Sequence, residues 1–98
     1  MTRAEIVAAI KSLAPSLEAE GVAHLALFGS RAREDANTAS DLDVLIDTIH
    51  GRRFSLINLS GVGLLIEDAI GIQSQIVMRR SIPADFAIRI EDDLVQVF

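Results

Sequence analysis

Two short groups of polar residues interrupt the apolar segments of this chain, and their types and spacing could support chemistry. The stretch LALFGSRAREDANTASDLDVLID, residues 25–47, holds Gly29-Ser30 at the end of one apolar run. Ten residues later, Asp41 and Asp43 stand one residue apart at the start of a second apolar run. A small-residue turn and a pair of carboxylates are therefore the first candidates for a functional site.

The spacing of the two aspartates would place both carboxylates on the same side of a strand. Residues i and i+2 of a strand point to the same side, so Asp41 and Asp43 would project their carboxylates together, with Cα atoms about 6 to 7 Å apart. Like charges this close repel each other unless water or a cation separates them. Oxygen ligands without a neighbouring His or Cys favour Mg²⁺ or Mn²⁺. A metal ion held by only two carboxylates keeps coordination positions free for substrate phosphates, as phosphoryl and nucleotidyl transfer require.

The Gly29-Ser30 turn suits the other half of that chemistry. Glycine lets the backbone approach a phosphate closely, and a serine hydroxyl at a helix start can hold anionic oxygens. A helix cap is the plain alternative for Ser30, and it is compatible with phosphate binding. For Asp41 and Asp43 the plain alternative is an acidic strand entrance. The two groups together predict a site for a nucleotide phosphate and a divalent metal.

The remaining polar residues carry weaker signals. We expect Arg31, Asp47 and Arg79 to be solvated charges outside the site. His24 and His50 have no partner at the spacing of a metal site or a catalytic triad, so we interpret both as structural residues.

The segments around these groups predict the elements that would position them. We predict helices over residues 3–20, 54–70 and 84–93, and strands over residues 22–28, 42–49, 72–78 and 94–98. A break near Ala14 is expected because Pro15 fits a first helical turn but not a helix interior. This order predicts an α/β (α+β) fold, a small mixed sheet of three to four strands with helices packed on one face, in a single domain over residues 1–98.

Composition restricts the classes of partner. The formal charge is −5 and the pI near 4.8, and the nine basic residues are scattered, which disfavours a nucleic-acid substrate. A mononucleotide, or a protein with a basic surface, suits this charge better. No cysteine is present, which excludes disulfides and fits a reducing cytoplasm. Glu5, Glu18 and Glu20 make the first segment unlike a signal peptide or a membrane span. A core this small favours oligomerisation.

The spacing Gly-Ser, ten residues, Asp-x-Asp resembles the signature of the polymerase β-like nucleotidyltransferase superfamily. The chain resembles the minimal nucleotidyltransferase (MNT) branch of this superfamily in three respects. These are the motif FGSRAR…SDLDVLI, the small size of the chain and the C-terminal segment IVMRRSIPADFAIRIEDDLVQVF. The resemblance implies the nucleotidyltransferase fold, ATP as nucleotide donor and Mg²⁺ or Mn²⁺ as metal. Members of this branch are typically antitoxins encoded beside HEPN-domain ribonuclease toxins, and some transfer AMP from ATP to a toxin tyrosine.

The resemblance also implies a role for each matching residue. Gly29 and Ser30 would hold the ATP phosphates, and Asp41 and Asp43 would be the catalytic carboxylates that bind the metals. Arg33 would contact a phosphate or fix the loop. The implied partner is a cognate HEPN toxin. We expect this chain to form either a homo-oligomer or a hetero-oligomer with the toxin, and to bind neither nucleic acid nor membrane directly.

One position departs from the family's pattern. The family places a third carboxylate on the next core strand, and the matching residue here is Gln75, within a segment 69–84 that lacks Asp and Glu altogether. Glutamine cannot accept a proton, and loss of a catalytic base commonly costs about 10²- to 10⁴-fold in rate. Two functions stay open. The chain is an enzyme that transfers AMP to a toxin hydroxyl, or a weakened or inactive relative that neutralises its toxin by binding. Transfer to a small molecule is a third class, but nothing here resembles the extra substrate domain such enzymes need.

Overall fold

A computed structural model describes residues 1–98 as a four-stranded sheet with five helices. The helices are α1 (Arg3–Ser12), α2 (Ala14–Glu20), α3 (Gly29–Arg33), α4 (Leu56–Ile70) and α5 (Ala84–Ile90). The strands are β1 (Val22–Phe28), β2 (Leu42–Thr48), β3 (Ser74–Met78) and β4 (Val95–Gln96). Two 3-10 turns, Arg79–Ser81 and Glu91–Asp93, precede α5 and β4. None of the helices has the length and apolarity that crossing a bilayer requires.

The N-terminal helical region is divided at the predicted place. The first helix begins with a capping box, in which the Thr2 hydroxyl accepts from the Glu5 amide and the Glu5 carboxylate accepts from the Thr2 amide. These bonds lower the pKa of Glu5. The helix ends at Ser12, and Pro15 lies in the first turn of α2, where its missing N–H removes no helical hydrogen bond. The expected break near Ala14 is confirmed.

The strands form one mixed sheet in the order β3-β2-β1-β4. Strands β1 and β2 are antiparallel, β2 and β3 are parallel and joined through α4, and β4 is antiparallel to β1. The register places Phe28 opposite Asp43, and Asp43 opposite Gln75. These three residues therefore form one row across the sheet, at the end where β1 finishes and β2 begins.

The larger part of the core lies between one face of the sheet and helices α1, α2 and α4. Alternate residues of β1 and β2 supply that face, and the helices contribute side chains one or two turns apart. The buried residues in this cluster are Ile6, Ile10, Leu17, Val22, Leu25, Leu27, Ala32, Leu42, Val44, Ile46, Val62, Ile66, Ile70 and Val97. Burial of this face fixes the pleat of β2, and therefore sends its odd-numbered residues to the opposite face.

The opposite face carries a smaller apolar cluster under α5. Phe28, Leu45 and Ile90 are buried there, and the Phe86 ring meets the Phe28 ring edge-on, with centroids 5.9 Å apart. The predicted fold class, a small mixed sheet with helices, is confirmed. Helix α5 adds a helix to the face that the sequence interpretation left bare, because apolar residues at the end of β1 and the middle of β2 need cover there. Asp43 lies on this face and keeps partial exposure.

Candidate functional site

The Gly-Ser turn and the second aspartate are in direct contact. Strand β1 ends at Phe28 and α3 begins at Gly29, whose φ of 75° lies in the left-handed region. A Cβ atom at Gly29 would lie only 2.3 Å from the Asp43 Oδ2 atom. Glycine is thus favoured here for two reasons: the backbone has a positive φ, and a side chain would clash with the Asp43 carboxylate. The structure brings together the two groups that the sequence places ten residues apart.

The two aspartates share one charged region with Arg33. Asp43 is half-buried on β2, and Asp41 is exposed just before that strand. Burial raises the pKa of the Asp43 carboxyl, the negative charge of Asp41 raises it further, and the positive charge of Arg33 partly opposes both effects. The charges of Asp41 and Arg33 thus both act on the Asp43 carboxyl.

The donors present fit a hard divalent cation. Both aspartates offer carboxylate oxygens, the ligands that magnesium and manganese prefer. The Asp43 carboxylate can lie against the turn because Gly29 has no side chain. A cation there would offset both the burial of the Asp43 carboxylate, which is the larger cause of its raised pKa, and the repulsion by Asp41.

Gln75 lies beside Asp43 on the neighbouring strand. It is exposed on β3 in register with Asp43, so the two side chains leave the same face of neighbouring strands. No group of three or more His, Cys, Asp or Glu side chains is placed to hold a metal ion anywhere in the protein. The register therefore puts Gln75, rather than a neighbouring residue of β3, beside Asp43.

The loop between α3 and β2 is organised by Arg31, a residue that sequence reasoning assigned to solvent. Its Nε and Nη2 atoms donate to the Ser40 carbonyl at 3.0 and 2.8 Å, and Nη2 also lies 3.4 Å from the Asn37 carbonyl. The prediction of a solvated charge is wrong, because carbonyls in an irregular loop need donors and a guanidinium supplies several. The Asn37 side chain adds a turn by accepting from the Ala39 amide at 2.8 Å. Arg31 therefore fixes the residue that immediately precedes Asp41.

Arg33 links the turn to the C-terminal part of the chain. Its Nε atom donates to Asp35 at 3.0 Å, and its Nη1 atom donates to Asp93 at 2.8 Å. Both bonds raise the pKa of Arg33. Of the two roles expected for Arg33, fixing the loop is visible in these contacts. Asp93 was missed from the sequence, since nothing in the spacing of two residues 60 positions apart indicates that they meet.

Asp47 belongs to a different region of the same face. Its carboxylate accepts from the Arg79 Nε atom at 2.7 Å. Both side chains keep the exposure to solvent that was expected, but they form an ion pair that the sequence did not indicate. The parallel pairing of β2 with β3 carries the 3-10 turn that contains Arg79 beside the end of β2. Asp47 is therefore an ion-pair residue rather than a further member of the aspartate pair.

The surface above the site is open. None of the five concavities of the protein is lined by Gly29, Asp41, Asp43 or Gln75. The turn and carboxylates face solvent instead of an enclosed pocket, which leaves room for a phosphate chain but gives little apolar surface for a nucleobase.

Comparison with known proteins agrees with this geometry. The sequence model of the family described as nucleotidyltransferase domain matches residues 4–97. A protein of Methanocaldococcus jannaschii named "Putative protein adenylyltransferase MJ1217" is 34% identical over 77 residues, which span 78% of this chain and 76% of that protein.

Solved structures share the fold at lower identity. A structure described as a putative minimal nucleotidyltransferase superimposes with a TM-score of 0.82 and 24% identity, over 97% of this chain and 95% of that one. An MNT antitoxin in complex with a tri-AMPylated HEPN toxin of Shewanella oneidensis gives a TM-score of 0.62 and 14% identity, over 90% of this chain and 68% of that chain. At these identities the likeness is one of fold.

Proposed function

The chain belongs to the nucleotidyltransferase domain family, and we propose that it is an antitoxin of the MNT type that transfers AMP from ATP to a hydroxyl of a cognate HEPN-domain toxin. A tyrosine is the expected acceptor, and the cytoplasm the expected location. The contact between Gly29 and the Asp43 carboxylate, beside Asp41, is the observation that carries this proposal. The relative named as an adenylyltransferase and the fold shared with an MNT antitoxin support it.

In the proposed reaction, the toxin hydroxyl oxygen attacks the α-phosphorus of ATP. A new oxygen–phosphorus bond forms, the bond to the pyrophosphate breaks, and AMP remains on the toxin. Gly29 permits close approach of the phosphate chain, and Ser30 and Arg33 offer donors to its oxygens. The hydroxyl proton passes to solvent or to a group of the partner, because the Gln75 amide beside Asp43 cannot accept it.

Asp41 and Asp43 would hold magnesium or manganese. When bound, the ion neutralises charge on the phosphates and polarises the phosphoryl group. The Asp43 carboxylate lies directly against Gly29, and its raised pKa makes binding of a cation compete with binding of a proton.

Transfer of label tests this proposal. The purified chain is incubated with its HEPN partner, magnesium and ATP labelled at the α-phosphate, and label on the partner is expected. Asp43→Asn should lower the rate by about 10²-fold or more. Asp47→Asn, on the same strand face but outside the site, should retain the rate within a few-fold. Absence of label with the unmodified chain, or full labelling by Asp43→Asn, would refute the catalytic proposal.

Gln75 favours a second candidate function, neutralisation of the toxin by binding alone. A neutral amide at this place cannot take the proton of the acceptor hydroxyl as a third carboxylate could, while the acidic charge of −5 suits docking on a basic RNA-binding surface. The Asp41→Asn/Asp43→Asn double variant separates the two candidates. Neutralisation that survives in this variant supports binding alone, whereas its loss, with the complex still formed, supports transfer. Gln75→Asp should raise the rate of transfer if the missing carboxylate limits it.

A further inference from the structure

Arg33 is held by two carboxylates that differ in origin and surroundings. Asp35 is two residues away on the following loop, and its side chain is 58% exposed. Asp93 comes from the 3-10 turn between α5 and β4, and its side chain is only 23% exposed. Ion pairs weaken as exposure to water increases. The less exposed Asp93 therefore contributes the firmer of the two contacts, and it anchors Arg33 to a separate part of the fold.

The two contacts leave much of the guanidinium free. Arginine has five N–H donors, and here Nε donates to Asp35 and one N–H of Nη1 donates to Asp93. Three N–H groups therefore have no partner within the protein. Arg33 lies on α3, three residues after Ser30, and α3 packs against β2, the strand that carries Asp43. A fixed cation with unused donors thus stands at the edge of the aspartate pair.

We propose that Asp93 is a positioning residue for nucleotide binding, which holds the Arg33 guanidinium beside the Gly29-Ser30 turn so that its free N–H groups meet the anionic phosphate chain. The inference rests on the proposed function. A long side chain loses rotamer freedom when it binds a ligand, and that loss is smaller when the side chain is already fixed. Asp93 supplies this fixation from the turn that ends α5, and so connects the C-terminal segment to the site.

Binding of ATP with magnesium, measured by calorimetry on the full chain, tests the role without requiring catalysis. Asp93→Asn should weaken binding by about 3- to 10-fold. Asp92→Asn removes the same charge from the same turn but has no contact with Arg33, and it should stay within about 2-fold of the unmodified chain. Asp93→Glu, which keeps the carboxylate, should restore part of the lost affinity. Thermal melting of each variant confirms that it is folded.

A double-mutant cycle tests whether Asp93 acts on ATP binding through Arg33. If Asp93 acts through the guanidinium, Asp93→Asn should have no further effect on ATP affinity once Arg33→Gln is present. Equal affinities for Asp93→Asn and Asp92→Asn would overturn the inference and leave the proposed function standing. Tighter binding by Asp93→Asn would also overturn it, since the carboxylate would then mask Arg33. Failure of the unmodified chain to bind ATP would overturn both proposals together.

Discussion

At the scale of single residues, Gly29 and Asp43 constrain each other. The backbone at Gly29 is left-handed, and the missing side chain leaves the space that the Asp43 carboxylate requires. Gly51 has nearly the same φ, 78° against 75°, but a Cβ atom there would meet nothing within 4 Å. These two glycines therefore separate the effect of backbone strain from the effect of crowding at the site.

We predict that Gly29→Ala destabilises the protein by more than Gly51→Ala. Backbone strain alone costs about 1 kcal/mol or somewhat more at either position, and crowding by the carboxylate adds to it only at Gly29. In an Asp43→Ala background, the Gly29→Ala penalty should fall toward that of Gly51→Ala. Chemical denaturation of the four variants and the unmodified chain measures this. Equal penalties for the two glycines in the unmodified background would contradict the contact.

The Asp43 carboxyl predicts a dependence of stability on pH. Burial first, and Asp41 second, raise its pKa in the folded protein, so the folded state holds this proton more tightly than the unfolded state. Its contribution to stability is therefore complete below the ordinary carboxyl pKa of about 4 and is lost as pH rises through the raised value. Asp43→Asn should melt at a higher temperature than the unmodified chain at neutral pH, and the difference should disappear in acid.

Thermal melts in metal-free buffer between pH 3.5 and 8 check this prediction, with Asp47→Asn as the control on the same strand. Asp47 accepts from Arg79, so its removal should lower stability slightly or leave it unchanged. Magnesium should raise the melting temperature of the unmodified chain at neutral pH and leave Asp43→Asn unaffected, because a ligand stabilises only the state that binds it. A destabilised Asp43→Asn at neutral pH would refute the assigned cause.

At the scale of elements, Arg31 shows how a loop sets the position of a functional side chain. The residues between α3 and β2 belong to no strand or helix, and the Arg31 guanidinium binds the Ser40 and Asn37 carbonyls of this loop. We predict that Arg31→Ala loosens this loop and costs about 1 kcal/mol of stability. Hydrogen exchange at the Asn37, Ala39 and Ser40 amides should accelerate.

Arg53→Ala is the matched control for the loop. Arg53 is an exposed arginine with no hydrogen bond or ion pair in the structure, so its removal should leave exchange at those amides unchanged. Because Asp41 follows the loop directly, Arg31→Ala should also weaken the stabilisation by magnesium, whereas Arg53→Ala should not. Unaltered exchange in Arg31→Ala would show that the loop is held by its own turns.

The same scale shows how far a sequence can predict this protein. Local signals gave the strands and the break before α2, because an alternating apolar pattern and a proline act on their own segment. The approach of Gly29 to Asp43 was expected instead from the complementary chemistry of the two groups and from the resemblance that their spacing carries. The position of Gln75 beside Asp43 follows from the register of the parallel pair β2 and β3. The roles of Arg31 and Asp93 could not be foreseen. Both depend on where a flexible side chain meets a backbone or turn that is remote in sequence, and no local pattern encodes such a meeting.

At the scale of the whole molecule, the open surface at the site fits the proposed reaction with a protein partner. The sheet presents its turn and aspartates on a surface that no concavity of the protein encloses. Water exclusion and placement of the acceptor hydroxyl are then left to the protein that docks there. The net charge of −5 favours association with a basic surface, and such association weakens as salt screens the charges.

We therefore predict that release of pyrophosphate from ATP is slow for the isolated chain and rises at least about 10-fold when the HEPN partner is added, because the partner supplies an oriented nucleophile. A partner that carries phenylalanine in place of the acceptor tyrosine should dock but fail to stimulate. At a fixed, subsaturating partner concentration, a higher ionic strength should reduce the stimulation of pyrophosphate release. At a saturating partner concentration it should leave the stimulation unchanged, since salt weakens docking rather than transfer. Pyrophosphate release at the same rate with and without partner would mean that the open site is already complete.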